Sequence, residues 1–85
     1  MNKDLTVKKT TYTVQGSVEP CFEVTNGYAM VRIAPYYNYR GSYELIITEY
    51  LDGEWNVEDV WSGDFDTLTE DKAIQIAKSY SVYLN

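Results

Sequence analysis

Phe22-Glu23-Val24-Thr25-Asn26-Gly27-Tyr28-Ala29-Met30-Val31-Arg32-Ile33 is the stretch on which the fold turns. Asn-Gly between alternating apolar residues is a strong short-range hairpin signal, because a type I′ turn needs φ > 0 at both central positions. A two-residue loop centred on Asn26-Gly27 pairs Val24 with Ala29 and Phe22 with Val31. Period-two alternation then places Phe22, Val24, Ala29, Val31 and Ile33 on one face. Glu23, Thr25, Tyr28, Met30 and Arg32 fall on the other. Turn chemistry and hydrophobic pattern agree, which predicts a hairpin with one buried face.

Downstream, Asp52-Gly53 marks a second hairpin. A two-residue loop there sets Leu45 and Ile47 against Val60 and Glu58 and scatters apolar residues over both faces. A three-residue loop, Leu51-Asp52-Gly53, sets Ile47 against Val57, Tyr43 against Trp61 and Glu49 against Trp55. It gathers Tyr43, Leu45, Ile47, Trp55, Val57 and Trp61 on one face, so the pattern predicts the longer loop. Upstream, residues 5–15 are rich in β-branched residues and read as a strand closed by Gln15-Gly16-Ser17. At the C-terminus, Thr67-Leu68-Thr69-Glu70 offers a capping box, with Thr69 as an alternative, later cap. Ala73, Ile76, Ala77, Tyr80 and Tyr83 or Leu84 follow at helical spacing. The expected fold class is α+β: an antiparallel sheet of about four to five strands, including two hairpins, with one C-terminal helix packed on one face. Residues 1–9 form an N-terminal arm or the start of a strand, and 10–85 form a single small domain.

With 85 residues the chain holds one domain at most, against a usual domain of about 100 to 150. It has no histidine and one cysteine, Cys21. The usual serine and cysteine dyads are therefore absent, as are zinc-ligand clusters and an internal disulfide. No phosphate-binding glycine loop, nucleophile elbow or dinucleotide fingerprint occurs. Asp64-Phe65-Asp66 with Glu70 resembles part of a calcium loop but lacks its glycine and remaining ligands. Carboxylates before a helix serve its dipole instead. Cys21 reads as a small hydrophobe. No catalytic residue, metal site or cofactor is expected. The N-terminus lacks the apolar run of a signal peptide, and no segment approaches transmembrane length. A lone thiol suits a reducing compartment, so the expected location is the cytoplasm.

The charge is unevenly placed. Residues 1–40 carry five basic and three acidic side chains, residues 41–71 carry ten acidic and none basic, and residues 72–85 carry two basic. A net charge of −6 thus conceals a far more negative middle third. Solvation of a sheet face is one account of it. Complementarity to a basic partner surface is the other, since it raises on-rates and selects partners. Beside this block, Pro35-Tyr36-Tyr37-Asn38-Tyr39-Arg40 concentrates the residue types enriched at binding hot spots. Its alternative role is to cap one end of the core.

A short, acidic, histidine-free, tyrosine-rich chain with a carboxylate-loaded Glu44–Asp71 segment resembles the small phage-encoded inhibitors of host defence, the anti-restriction and anti-CRISPR proteins. The likeness lies in composition and in the middle of the chain, and it carries no motif. It implies a nucleic-acid mimic: an acidic inhibitor that blocks a basic surface on a nucleic-acid-processing enzyme, in the host cytoplasm. The candidate binding residues are Glu44, Glu54, Glu58, Asp59, Asp64 and Asp66 for charge, and Tyr36, Tyr37, Tyr39 and Tyr50 for anchoring. Ile46, Tyr50 and Val60 would supply an apolar centre. Direct nucleic-acid binding and membrane contact are not expected. Two other readings remain: an assembly subunit that oligomerises through its exposed sheet face, and a small enzyme or small-molecule binder.

Overall fold

A computed structural model describes residues 5–36 and 44–85. In chain order these form β1 (Thr6–Val14), β2 (Ser17–Thr25), β3 (Ala29–Tyr36), β4 (Glu44–Leu51) and β5 (Glu54–Ser62). A short 3-10 turn at Phe65–Thr67, helix α1 (Glu70–Tyr80) and a second 3-10 turn at Val82–Leu84 follow. The strands make one sheet in the order β1-β2-β3-β4-β5, and every neighbouring pair is antiparallel. The α+β class expected from the pattern holds, with the sheet a continuous meander. The expected core residue Tyr43 and the first four residues of the N-terminal arm lie outside the described residues.

Alternation divides the sheet as the sequence suggests. Phe22, Val24, Ala29, Val31, Ile33, Leu45 and Ile47 point to one face and are buried there against Phe65, Ala73, Ile76, Ala77 and Leu84. Complete burial of an aliphatic side chain such as Ile33 contributes about 1.5–3 kcal/mol. Helix α1 starts at the later of the two caps: Thr69 Oγ1 accepts the Lys72 N–H at 3.1 Å. At its other end Ser81, 2 % exposed, donates its hydroxyl to Glu49 of β4, which ties the end of the helix to the sheet. Leu84 completes the core, whereas Tyr83 is exposed.

Two turns differ from expectation. Across the first, Val24 lies opposite Val31 and Phe22 opposite Ile33, not Ala29 and Val31. Only Gly27 has a positive φ, 90°. Asn26 instead uses its side chain, with Oδ1 accepting the N–H groups of Tyr28 at 2.9 Å and Ala29 at 3.0 Å. That Asx-type turn adds length to the loop. The register shifts by two residues, an even number, so the predicted face survives.

The second turn is the two-residue Asp52-Gly53, with φ of 54° and 81°, rather than the three-residue loop. Tyr50 therefore pairs with Trp55 and Leu51 with Glu54. An irregularity between Thr48 and Glu49 then puts Leu45 opposite Trp61 and Ile47 opposite Asp59, in the expected phase but not with the expected partners, Tyr43 for Trp61 and Val57 for Ile47. This β-bulge inserts one residue in β5 and switches its phase. Trp61 reaches the helix side as expected. Trp55, before the bulge, is turned to the opposite face.

The two prolines of the chain decide where the sheet opens. Gln15 and Gly16 have φ of 50° and 82°, so the β1–β2 turn is type I′ and Val14 and Ser17 form a hydrogen-bonded pair. Counting along β2 by twos, the backbone groups of Val18, Pro20, Phe22 and Val24 face β3. One such step beyond the Phe22–Ile33 pair would set Pro20 opposite Pro35. Neither has an N–H to give, and the ladder stops at Phe22–Ile33. Among the described residues, Ser17–Cys21 pair with β1 alone and Ala34–Tyr36 with β4 alone. The β1–β2 hairpin thus continues past the seam, among the described residues, without a partner on its β3 side.

Candidate functional site

Among the described residues, no element covers the face away from α1. Alternation brings to it Tyr12 and Val14 from β1, Glu19, Cys21 and Glu23 from β2, and Arg32, Ala34 and Tyr36 from β3. From β4 and β5 it receives Glu44, Ile46, Thr48 and Tyr50, and Trp55, Glu58 and Val60. Its centre is Arg32. The guanidinium carbon lies 4.5 Å from the Tyr12 ring centroid and 4.0 Å from that of Trp55. Those rings come from the two outermost strands, while Arg32 is on the central one. Simultaneous contact requires the face to be concave, curled by the right-handed twist and coil of the strands.

Arg32 also pairs with Glu23, Nη2 to Oε2 at 3.3 Å, with both side chains about one-fifth exposed. Its Nε is buried and has no hydrogen-bond partner. Trp55 in turn meets Tyr50 edge-on, with centroids 5.0 Å apart. Cys21 is wholly buried in this face. Burial pushes its thiol above the ordinary value, Glu23 adds to the rise and the Arg32 charge opposes it. Tyr12 is raised for the same first reason, with Arg32 again opposing. Both groups are held neutral at physiological pH and offer no activated nucleophile.

Among the described residues, two hollows open on the concave face. One, of about 190 Å³, has Arg32, Ala34 and Thr48 beneath it and Tyr12, Trp55 and Glu58 around it. The other, of about 540 Å³, lies over the proline seam between Tyr12, Ser17 and Glu19 on one side and Pro35, Tyr36 and Ile46 on the other. Val14, Trp55 and Val60 stand between 40% and 44% exposed on this face. The result is an apolar floor with carboxylates near its margins: Glu19, Glu44 and Glu58.

Of the residues singled out in the sequence, Glu44, Glu58, Tyr36 and Tyr50 share this face, together with Ile46 and Val60. Glu54 and Asp59 project from the edge strand β5 on the helix side. Asp64 caps the 3-10 turn, its Oδ1 accepting the Asp66 N–H at 3.0 Å, and Asp66 is exposed beyond it. The acidic block is therefore divided between two faces and the edge of β5. Charged edge strands resist unwanted pairing, which accounts for part of it. Tyr37 and Tyr39 lie outside the described residues. Trp55, expected on the buried face, belongs to the site instead, and so does Tyr12. The tight turn moved Trp55; Tyr12 alternates to this face opposite Glu19. Tyr80 keeps its expected place against the core, and burial, then Asp59, Glu49 and Glu58, raise its hydroxyl.

Among the described residues no group of three or more metal-ligating side chains occurs, and no helix is long and apolar enough to cross a membrane. The chain matches no protein-family model, and no curated protein or solved structure shows significant similarity to it.

Proposed function

We propose that this chain is a non-catalytic protein-binding module, an acidic inhibitor that covers a basic nucleic-acid-binding surface on a cytoplasmic enzyme. One observation carries the reading: an open concave face with an apolar floor and carboxylates at its margins, continuous with the acidic edge of β5. Interfaces of this build bury aromatic anchors at the centre and leave charges at the rim. Trp55, Tyr36, Ile46 and Val60 are the anchors. Glu44 and Glu58 on the face, with Glu54 and Asp59 along the edge, select a cationic partner and speed its capture. A nucleic-acid mimic needs both properties, because a purely electrostatic contact would be screened at cellular salt.

The test is competition on a partner recovered from cytoplasm. A complex that weakens steeply between about 50 and 500 mM salt, is displaced by nucleic acid and is lost on reversing Glu44, Glu58 and Asp59 to lysine supports the inhibitor. Indifference to salt and to those reversals rejects it. The same apolar floor also favours a second reading, self-assembly through the open face. That reading requires a dimer or larger species in light scattering without any partner, and a monomer at high concentration rejects it.

A further inference from the structure

We propose that this chain pairs head to tail with a second copy of itself, the outer edge of β1 in one copy lying against the outer edge of β5 in the next. The inference goes beyond the function proposed above and does not rest on it. Both outermost strands are nine residues long, and among the described residues neither outer edge is joined to another strand. Such edges are templates for pairing with another chain. Counting by twos from the bonded pair Val14–Ser17, the N–H and C=O groups of Val7, Lys9, Thr11 and Thr13 point outward from β1. The same alternation, carried across the sheet from Phe22–Ile33, makes Ile47–Asp59 a bonded pair. In β5 the outward groups past the bulge are therefore those of Glu58, Val60 and Ser62. Val60 N–H, outside the β4 ladder, donates instead to Asp59 Oδ1 at 2.9 Å.

Charge and register commit the pairing to a second copy. Lys8, Glu23, Arg32, Thr48 and Glu58 form one straight row across the open face. Lys9, Phe22, Ile33, Ile47 and Asp59 form the next row, on the helix side. A copy added beside β1 in the same orientation continues both rows. Its β5 runs parallel to β1, its Glu58 falls beside Lys8 and its Asp59 beside Lys9, and opposite charges on neighbouring strands attract. The backbones are then in phase: Lys9 N–H meets Glu58 C=O and Val60 N–H meets Lys9 C=O, as a parallel ladder requires. Thr11 repeats this between Val60 and Ser62. All four charged side chains are exposed, and among the described residues the one ion pair of the chain, Arg32–Glu23, involves none of them. Two β5 edges would instead crowd Glu54, Glu58 and Asp59 against their like, and two β1 edges would crowd lysines. Exposed ion pairs contribute little singly, so here they select edge and register while the ladder holds the contact. Each copy carries both edges, so the contact repeats, closing into a ring if the rotation allows and chaining on otherwise.

The experiment is sedimentation velocity of the intact chain alone, at rising concentration and low salt. Mass above the monomer that grows with concentration supports the pairing. Lys8→Glu/Lys9→Glu and Glu58→Lys/Asp59→Lys should each weaken association by about tenfold or more, since two attractive pairs become repulsive. An equimolar mixture of the two variants restores it, because each supplies the edge that the other now fits, and so does the chain carrying all four reversals. Amides of Lys9, Thr11, Thr13, Glu58, Val60 and Ser62 exchange more slowly in the assembled sample. A parent chain that stays monomeric at every concentration overturns the proposal, as does a mixture that stays dissociated. An oligomer indifferent to the Lys8 and Lys9 reversal belongs to the open face and overturns it too. If a variant loses its fold by circular dichroism, carbodiimide cross-links between isotope-labelled and unlabelled parent chains decide. Links from Lys8 or Lys9 to Glu58 or Asp59 support the pairing, and their absence overturns it.

Discussion

Replacing both prolines, Pro20→Val and Pro35→Val, tests whether two missing N–H groups are what splits the sheet. Extending the β2–β3 register one hydrogen-bonded step past Phe22–Ile33 would put the two positions opposite each other. Restoring both amides permits two reciprocal bonds, each with a net value of about 0.5–1.5 kcal/mol, or about 1–3 kcal/mol together. Proline also restricts the unfolded chain, and its removal costs about 0.4–1 kcal/mol per site, or about 1–2 kcal/mol for two. These effects nearly cancel, so the global stability should stay within about 2 kcal/mol of the parent. Melting temperature is then a poor discriminator, and hydrogen exchange is the decisive assay. The new amides at positions 20 and 35 should exchange at least roughly a hundredfold more slowly than in an unstructured chain, about 2.7 kcal/mol of local opening free energy. Valine suits the extended backbone and the half-buried positions. If both amides exchange as fast as a free loop in an otherwise folded domain, the prolines are not the cause of the opening.

The remaining predictions concern the concave face and the first turn. In a double-mutant cycle of Arg32→Met with Trp55→Leu, urea unfolding should give a coupling of about 0.5–2 kcal/mol; a coupling near zero means the stacked geometry contributes nothing. Arg32→Met alone should cost more, about 2–3 kcal/mol, because it also strands the largely buried carboxylate of Glu23. Asn26→Ala removes the acceptor for two turn amides and the donor to Tyr83 O at 2.7 Å. It should cost about 1–3 kcal/mol and speed exchange at Leu84, and an unchanged denaturation midpoint would count against the turn assignment. Cys21 has its thiol raised by burial, so the folded state favours the protonated form. Its stabilising contribution is complete below the ordinary thiol pKa and is lost as pH rises through the raised folded value. Stability measured from about pH 7 to 10 should decline in the parent chain and decline less in Cys21→Ala. The native thiol should also resist a disulfide reagent until the chain unfolds, and fast native labelling would contradict its burial.

Much of the fold was legible because one-dimensional periodicity reports burial directly. Phe22, Val24, Ala29, Val31 and Ile33 alternate, and a two-residue error in their loop left every one on the correct face. The helix likewise followed from Ala73, Ile76 and Ala77 at helical spacing behind the cap of Thr69. The β4–β5 hairpin was harder. Its expected three-residue loop kept the apolar residues in phase, and the chain reached nearly the same end with a tight turn and a bulge. The two solutions agree on Trp61 and disagree on Trp55, and the latter became the wall of the site. A bulge leaves no signature in composition, since any residue type can occupy it.

The sequence by itself determined an α+β domain with a strand-rich body, one amphipathic helix, a neutral buried cysteine and carboxylates crowded into its middle third. Those properties depend on neighbours a few residues away, where period and turn chemistry govern the backbone. Only the tertiary structure decided which residues share the open face. Tyr12 and Trp55 lie at opposite ends of the strand order, and twist brings both against Arg32. Pro20 and Pro35 are fifteen positions apart in the chain and are directed at each other only by register. Which faces the carboxylates occupy was set by a bulge and by alternation, so a block continuous in the chain is divided in space. Pairing and curvature join residues that no local pattern relates, and the concave face is built from such pairs.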